Sequence, residues 1–343
     1  MQSDNDAPGD EVIRLHWLVG DEPFDVNAFR RVDFSAQSQV GLPTGYWLDQ
    51  PRIAATEGHL FIAFNVYDRN DDYYGSYVIR LSNEDLALGR APKARVVQVG
   101  SRRTGLAGFV AFTSGATDTM YFAGSLSTSK LRVWKWPDNS QDADGRAEVT
   151  HSAYAQGSYD CTRAGKAAVN WCGRKSNDPR VLAGWIAKGV VGFAWNAPGN
   201  AKAGFPYPYV QVVQLNEDSL TLRDEPSIFL RNNAVNYAAL VPNGRGDVGG
   251  VVLLGGGERY ETCAAVVRDP RADSGSVGWT YRVIDASDSD PAEAKSGDYL
   301  GATTTTPGGN IWAGSCITLH GGGGMDNVEI RLATFGRAED GSG

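Results

Sequence analysis

The sequence predicts an all-β fold, a β-propeller, and two observations carry that prediction. A pattern of four short strand-like runs recurs through the 343 residues, at intervals of roughly 55 to 70 residues. The runs are rich in Val, Ile, Thr and aromatic residues, and Gly, Asn, Asp or Pro bound them. No segment has a sustained helical period. One four-stranded unit in each repeat is the organisation of a propeller blade.

The strands of each unit can be placed from these runs. In chain order they are predicted at 51–55, 60–64, 77–81 and 94–99; 108–112, 120–123, 131–136 and 148–154; 180–185, 190–195, 209–215 and 222–230; 237–241, 250–254, 263–268 and 279–284; and 300–305, 310–314 and 328–335. The last unit lacks a fourth strand. Strand-like material at 11–18 and 29–34 precedes the first unit. We therefore predict five four-stranded blades, the last closed by an N-terminal strand from 11–36, because closure leaves only short sheet edges.

The main alternative is a six-bladed propeller, in which residues 11–45 form a degenerate blade. In both versions residues 1–343 form a single propeller domain, since one all-β domain can reach this size. The polar ends, 1–10 and 337–343, are predicted to be flexible tails.

Composition narrows the class of partner. The net charge is −8 and no basic block is present, which argues against a nucleic-acid surface. No apolar run is long enough for a membrane span. The polar start is no signal peptide, and it fits a mature secreted protein with an added Met. We therefore expect a secreted or periplasmic monomer.

The four cysteines point in the same direction. Cys161 and Cys172 lie 11 residues apart in a long loop, and we predict a disulfide between them because it would fix that loop. Their spacing matches no zinc signature. Cys263 and Cys316 fall on strands of adjacent blades, where two buried thiols and a second disulfide both remain open.

Blade topology predicts where a site would lie. Loops that enter the first strand of a blade share one face of the propeller with loops that join the second strand to the third. In this chain those loops are long and rich in reactive side chains, whereas the turns of the other face are tight. Because binding residues are concentrated on loops held by a rigid scaffold, we place the site on the long-loop face, over the central channel.

The entries to the inner strands supply the first group of candidates. Converging carboxylates raise one another's pKa unless a cation intervenes, and such groups suit general acid–base catalysis. The structural alternative is that an Asp before Pro caps a turn and that ring polar groups hold channel waters. The predicted catalytic residues of this group are Asp49, Asp178, Asp298 and Tyr299, and the predicted substrate-binding residues are Arg52, Arg180, Asn236 and Tyr237.

The loops between second and third strands supply the rest. Aromatic rings beside carboxylates and Arg suit sugar rings, since they combine an apolar platform with hydrogen-bonding groups. Arg259 and Tyr260 are therefore predicted to bind substrate, and His320, before a glycine hinge, to act in catalysis. The acidic run 68–72 lacks the Gly and terminal Glu of an EF-hand. A structural calcium ion at this acidic run therefore remains an alternative. No sequence signal indicates an organic cofactor.

Two segments resemble sialidase-like secreted propellers. They are 51–65, with Pro51-Arg52-Ile53-Ala54-Ala55, Gly58 and Phe64-Asn65, and 297–313, with Gly297-Asp298-Tyr299 and Pro307-Gly308-Gly309-Asn310-Ile311-Trp312-Ala313. Thr305-x-Pro307-x-Gly309-x-x-Trp312 is similar to the aspartate box, Ser/Thr-x-Asp-x-Gly-x-x-Trp, with Pro307 in place of Asp. That box is a fold-stabilising turn on the far face.

The resemblance has implications for the site. Sialidases use three arginines that grip a carboxylate, an Asp acid, and a Tyr nucleophile paired with Glu. The resemblance implies Arg52 for the first arginine, and no motif places the other groups. Sialidases are six-bladed, unlike the five-bladed prediction. Five-bladed glycosidases of arabinans and fructans use three carboxylates around the axis, to which Asp49, Asp178 and Asp298 are similar in kind.

These observations predict a secreted propeller that binds carbohydrate at one central site, as a glycoside hydrolase or a polysaccharide lyase. In a hydrolase, Asp178 and Asp298 would be acid and base, tuned by Asp49 or Arg52, and their separation would set the stereochemistry. In a lyase, Tyr299 or His320 would abstract a proton while Arg52 or Arg180 neutralises a uronate. The alternative is a non-catalytic lectin or an adhesion or interaction propeller. The strong divergence of the loops between blades favours one asymmetric site, and hence an enzyme.

Overall fold

A computed structural model shows an all-β chain. The structure describes residues 12–19, 26–101, 109–154, 159–163, 169–172, 180–269, 278–291, 300–305, 309–322 and 327–337. The chain divides into two compact units. Unit 1 contains Met1–Phe112, Ala116–Ser127 and Arg132–Ala147, and unit 2 contains Thr113–Gly115, Thr128–Leu131 and Glu148–Gly343. The predicted tails, 1–10 and 337–343, lie outside the described residues except for Arg337, and the single-domain prediction stays a prediction.

The strands follow the predicted repeat. They are β1 Ile13–Leu18, β2 Phe29–Phe34, β3 Trp47–Ala55, β4 His59–Tyr67, β5 Tyr73–Ser82, β6 Arg95–Ser101, β7 Ala111–Ser114, β8 Thr119–Ser127, β9 Lys130–Pro137, β10 Asp144–Thr150, β11 Val181–Ala187, β12 Val190–Ala197, β13 Tyr209–Asn216, β14 Leu222–Asp224, β15 Ala234–Pro242, β16 Val248–Gly256, β17 Arg259–Arg268, β18 Trp279–Ala286, β19 Gly301–Thr304, β20 Trp312–Leu319 and β21 Val328–Phe335. Each of the predicted strand ranges overlaps one of these strands.

Two short helices were not expected from the sequence. They are α1, Ala36–Val40, and α2, Asn83–Ala87. Each has five residues, too few for a helical period to be visible in the sequence. Serine begins both: the hydroxyl oxygen of Ser35 accepts from the N–H of Ser38, and that of Ser82 accepts from the N–H of Asp85.

The main sheet of unit 1 is covered on both faces. Its strand order is β3-β4-β5-β6. One face, with Ile62 and Ile79, packs against Ile13, Leu15 and Phe34 of the β1–β2 hairpin. The opposite face carries Phe61, Ala63 and Val78, which pack with Phe112 and Trp136 among others. Because side chains alternate across a strand, β4 supplies even-numbered residues to the first face and odd-numbered residues to the second.

Unit 2 contains consecutive antiparallel sheets. Strands β11 to β14 are followed by a sheet in the order β15-β16-β17-β18 and by a sheet in the order β19-β20-β21. Thr113 and Ser114 at the end of β7 pair in parallel with Gly184 and Trp185 of β11. The first strands of successive sheets contact one another, β11 with β15 and β15 with β19. Successive four-stranded meanders with neighbouring first strands are the blades of a β-propeller.

The turn that resembles the aspartate box ends in a buried tryptophan. Trp312 is 0% exposed, and its indole Nε1 donates to the carbonyl oxygen of Val241 at 3.1 Å. The N–H of Gly244 donates to the carbonyl oxygen of Gly309 at 2.9 Å. Both bonds join β15 or the turn after it to residues just before or within β20, so Gly309 and Trp312 link neighbouring sheets.

Strands β15 and β16 approach closely at Gly250. A Cβ atom built on Gly250 would lie 1.8 Å from the carbonyl oxygen of Ala239. Only glycine fits at this position, because any side chain would overlap the backbone of the neighbouring strand.

The N-terminal strands pair differently from the expected closure. Among the described strands, β1 and β2 pair with each other and form a two-stranded sheet, and the last sheet contains three strands. The apolar side chains of Ile13, Leu15 and Phe34 are buried in unit 1, which accounts for the position of this hairpin. It falls within the residues that the six-bladed alternative assigns to a degenerate blade, and the number of blades stays a prediction.

Both cysteine pairs form disulfides. Cys161 and Cys172 are bonded with their Cα atoms 5.6 Å apart, as predicted. Cys263 and Cys316 are also bonded, with a Cα separation of 5.8 Å, which decides the alternative that the sequence left open. Disulfides persist in oxidising compartments and are rare in the cytosol. No helix in the described part of the chain has the length and apolar character to cross a membrane.

Candidate functional site

The candidate site begins at a β-bulge in β3. The pairing of β3 with β4 places Asp49 opposite Asn65 and Arg52 opposite Ala63, so one extra residue is inserted between them. Gln50 takes a φ of 51° there, a rare conformation for a residue of this size. Pro51 has no N–H for the ladder and is suited to a bulge. The bulge keeps Asp49 and Arg52 on one face of the sheet.

An aromatic pair lies next to the polar pair on the same face. Trp47 is opposite Tyr67, and their rings stack with centroids 4.8 Å apart and an interplanar angle of 21°. The ring of Tyr73 meets that of Tyr67 edge-on at 6.0 Å. All three side chains are partly exposed. The end of the sheet on the long-loop side therefore has an aromatic rim.

A small recess lies further along this face. Gln50, Arg52, Asn65 and Phe109 are among the residues that line it, and the Arg52 guanidinium lies 5.3 Å from the centre of the Phe109 ring. The recess has room for about one water molecule. It is thus a hydrogen-bonding pocket below the rim rather than a cleft that would enclose a sugar ring.

Asn65 connects the recess to the aromatic rim. It is 2% exposed, and its Oδ1 accepts from the Ser76 hydroxyl at 2.7 Å. The Ser76 hydroxyl also hydrogen-bonds the Tyr73 hydroxyl at 2.8 Å. Within the described part of the chain, Asn65 Nδ2 has no hydrogen-bond partner. A buried amide donor without a partner is costly, so this N–H is suited to a water molecule or a ligand oxygen.

The electrostatics of this network favour a neutral phenol. Burial is the largest influence on the Tyr73 hydroxyl and raises its pKa, while the hydrogen bond with Ser76 acts in the opposite direction. Tyr73 therefore stays protonated near neutral pH and can donate. We call Trp47, Asp49, Arg52, Asn65 and Tyr67 the β3–β4 wall. It combines an aromatic platform, a carboxylate, a guanidinium and an amide donor.

The predicted residues at the entry of β15 are buried. The bulge of β3 is repeated here, since the pairing shifts between Asn236 and Ala238 and Tyr237 has a φ of 50°. Asn236 is 0% exposed and donates to Cys161 Sγ at 3.4 Å. Tyr237 is 4% exposed, and its backbone N–H donates to Asn196 Oδ1 at 2.8 Å. Both pack in the core beside the disulfide, and their role in binding substrate stays a prediction.

The remaining predicted binding residues, Arg180, Arg259 and Tyr260, belong to unit 2. The ring of Tyr260 is covered by the guanidinium of Arg163, 3.8 Å from its centroid, and Arg163 lies 3.6 Å from Asp290 Oδ2. Arg259 is exposed at the start of β17, and Arg180 is half-buried directly before β11.

Three of the predicted catalytic residues, Asp178, Asp298 and Tyr299, lie outside the described residues. Among the residues that the structure describes, no group of three or more His, Cys, Asp or Glu side chains is arranged to hold a metal ion.

His320 lies in an ion cluster of unit 2 that sequence reasoning did not foresee. Its Nε2 is 2.9 Å from Asp285 Oδ2, and its Nδ1 is 3.7 Å from Asp288 Oδ2. Asp285 Oδ2 also accepts from the Thr318 hydroxyl at 3.0 Å and from Arg331 Nε. With a carboxylate near each ring nitrogen, His320 is arranged to hold a proton rather than to remove one from a substrate. Its catalytic role stays a prediction.

The two pKa shifts in this cluster have opposite directions. Partial burial raises the pKa of Asp285, but hydrogen bonds from Arg331, His320 and Thr318 outweigh it and lower that pKa to about 2. The hydrogen bond with Asp285 raises the pKa of His320 above 6.5, against a smaller effect of desolvation. The stabilisation from His320 is therefore complete below pH 6.5 and disappears as the pH rises through its raised pKa. That from Asp285 is present above pH 3.8 and disappears as the pH falls toward about 2.

We expect His320→Gln to lower the free energy of unfolding most between pH 5 and 6, because His320 is then charged beside Asp285. The difference from the wild type should shrink as the pH rises above the raised pKa of His320. Denaturant unfolding curves at a series of pH values would measure it. The control is His16→Gln, at an exposed position of β1. A difference that stays constant with pH would contradict the ion-pair interpretation.

Comparisons with known proteins yield only distant likeness in structure. No protein-family model matches the chain, and no curated protein matches it. A protein of unknown function from Dyadobacter fermentans has 12% identity, with 87% of this chain and 81% of that chain covered and a TM-score of 0.48. A Hadza microbial sialidase has 11% identity and a TM-score of 0.47, and the alignment covers 84% of this chain and 56% of that chain. An ulvan lyase, from a new family of polysaccharide lyases, has 8% identity and a TM-score of 0.45, with 95% of this chain and 75% of that chain covered.

Proposed function

We propose that the chain is a secreted, carbohydrate-active propeller, a glycoside hydrolase or polysaccharide lyase, and that the β3–β4 wall is part of its site. One observation carries the proposal: the stacked rings of Trp47 and Tyr67 are partly exposed beside the pair of Asp49 and Asn65. Sugar rings bind aromatic faces through their apolar side and need hydrogen-bonding groups for their hydroxyls. The two disulfides support a secreted protein.

The residues of the wall have distinct roles in this proposal. Trp47 and Tyr67 hold a sugar ring at the rim. Asp49 exchanges a proton with the reacting oxygen as general acid or base. Arg52 and the Nδ2 of Asn65 donate to oxygen atoms of the substrate. Asp178, Asp298 and Tyr299 stay proposed catalytic partners from the sequence.

A second candidate function is sugar binding without catalysis. The recess beside Arg52 and Asn65 has room for only about one water molecule, which favours contact with a sugar at the rim over enclosure of a reacting bond. In that case the β3–β4 wall would act as the binding surface of a lectin. The two candidates differ in whether a bound glycan is cleaved.

A glycan panel separates these candidates. The purified chain would be tested by affinity electrophoresis in gels that contain arabinan, β-glucan, fructan, ulvan or polygalacturonate, and for new reducing ends or absorbance at about 235 nm. Retardation with cleavage supports an enzyme, and retardation without cleavage supports a lectin. If no polymer is retarded or cleaved, the proposal is wrong for these glycan classes.

We expect Trp47→Ala and Tyr67→Ala each to weaken binding of the retarded polymer about tenfold, because an aromatic contact can contribute about 1.4 kcal/mol. The comparison is the retardation of each variant against the wild type. Phe29→Ala is the matched control, since Phe29 is a 44% exposed aromatic residue of β2 in the same unit. Equal loss in all three variants, or loss in none, would contradict a specific platform at the rim.

A further inference from the structure

A second aromatic pair, Tyr46 and Tyr74, lies at the same end of the β3-β4-β5-β6 sheet as Trp47 and Tyr67. It lies on the opposite face of that sheet. The rings of Tyr46 and Tyr74 meet edge-on, with centroids 5.1 Å apart and an interplanar angle of 74°. Tyr46 packs beside the core that includes Phe34 and Ile62, whereas Tyr67 follows the odd-numbered face of β4. Tyr74 is 36% exposed. Neither tyrosine belongs to the β3–β4 wall.

An acidic turn, Asp68 to Asp72, joins β4 to β5 at this end of the sheet. Asp68 Oδ1 accepts from the N–H groups of Asn70 and Asp72 at 2.9 and 3.1 Å, which fixes the loop between β4 and β5. Asp71 and Asp72 are exposed. Arg69 is the one cationic residue of this turn, and its guanidinium lies beside Gly45. Three carboxylates against one guanidinium give the turn a net negative charge.

We propose that Tyr46 and Tyr74 form an outer sugar subsite, and that a neutral polysaccharide runs across the end of the sheet from this pair to Trp47 and Tyr67. The inference rests on the proposed function and names its substrate class. Partly exposed aromatic pairs on both sides of one sheet end fit consecutive sugar residues better than a single terminal residue. The exposed carboxylates accept hydrogen bonds from hydroxyl groups.

The charge of the turn selects against one class of glycan. A uronate or sulfated polymer would bring repeated negative charges against Asp68, Asp71 and Asp72, and like charges side by side disfavour association. A neutral polymer has no such penalty. The outer subsite therefore favours a hydrolase of neutral chains over a lyase, since the uronate that a lyase would require is a polyanion.

Tyr74→Ala is the variant that tests this inference, because Tyr74 is the more exposed ring and its loss should leave folding intact. The probes are arabinan and β-glucan as neutral polymers, polygalacturonate as a polyanion, and the short oligosaccharides of each. We expect Tyr74→Ala to weaken binding of the neutral polymer about tenfold and to leave binding of its disaccharide unchanged. Trp47→Ala should weaken both, and Tyr74→Phe, which keeps the ring, should match the wild type.

The outcomes distinguish this inference from the proposed function. Loss of polymer binding in Trp47→Ala with none in Tyr74→Ala would overturn the outer subsite and leave the proposed function standing. Stronger retardation of the wild type by polygalacturonate than by either neutral polymer would overturn the substrate class. Absence of binding and cleavage for every probe would overturn the proposed function, and with it the inference. A circular-dichroism melt of Tyr74→Ala, compared with the wild type, shows whether a loss comes from folding.

Discussion

Asp49→Asn should lower the rate of glycan cleavage by about 10² or more, the usual contribution of a general acid or base. An amide has nearly the shape of the carboxylate but cannot transfer its proton, so binding should persist. The pairing of β3 with β4 holds position 49 opposite Asn65, which makes a change in fold unexpected. Initial rates of reducing-end release, on a polymer that the wild type cleaves, would measure the loss.

The controls for this prediction separate its alternatives. Asp118→Asn changes an exposed carboxylate in a turn of the same unit and should leave the rate unchanged. Asp178→Asn and Asp298→Asn should cause losses of the same order if the axis prediction is right. A normal rate in Asp49→Asn, with large losses in the other two, would make Asp49 a binding residue.

Gly250→Ala should lower the free energy of unfolding by about 4 kcal/mol or more, among the largest effects of a single substitution. The added Cβ would lie 1.8 Å from the carbonyl oxygen of Ala239, so β15 and β16 must move apart. Fully buried residues that follow Gly250 in β16, such as Val251 and Val252, would then lose packing contacts.

Gly301→Ala is the matched control for Gly250→Ala. Among the described residues, a Cβ at Gly301 would meet only the Ser315 hydroxyl, at 2.8 Å, and a hydroxyl can rotate away. Denaturant unfolding of both variants would measure the difference. Similar stability in the two variants would show that the strands can separate at Gly250 at little cost.

The sequence was sufficient for the positions of the strands and for one disulfide. Short runs of alternating apolar residues between turn residues mark strands because burial on one face requires that pattern. The loop that contains Cys161 and Cys172 is closed by residues near each other in sequence, so their pairing could be predicted. Cys263 and Cys316, 53 residues apart, depend on how neighbouring sheets pack, which a single sequence does not reveal.

The aromatic rim could not be predicted in the same way. The sequence pattern began the first strand at Pro51, whereas β3 begins at Trp47. The signal that was available was Pro51 itself, because proline within a strand indicates an edge or a bulge. Extending the strand through a bulge would have placed Trp47 opposite Tyr67 and Asp49 opposite Asn65.

The fate of Asn236 and Tyr237 shows a second limit. Their position before an apolar run correctly indicated the start of an inner strand, β15. The polar character of Asn236 suggested a channel, yet the side chain is 0% exposed and hydrogen-bonds Cys161. Exposure at a strand entry depends on the segment that packs over it, 75 residues away in this case, and strand periodicity contains no information on that contact.

The left-handed backbone at Gln50 separates two kinds of constraint on mutation. At a φ of 51° glycine would fit without the conformational cost that other residues have, about 1 kcal/mol. Backbone conformation alone therefore gives glutamine no advantage over glycine at position 50, and what a replacement by glycine removes is the side chain that lines the recess. In a population of variants, a glycine at position 50 would meet no backbone penalty, so any selection against it would act on the loss of the glutamine side chain.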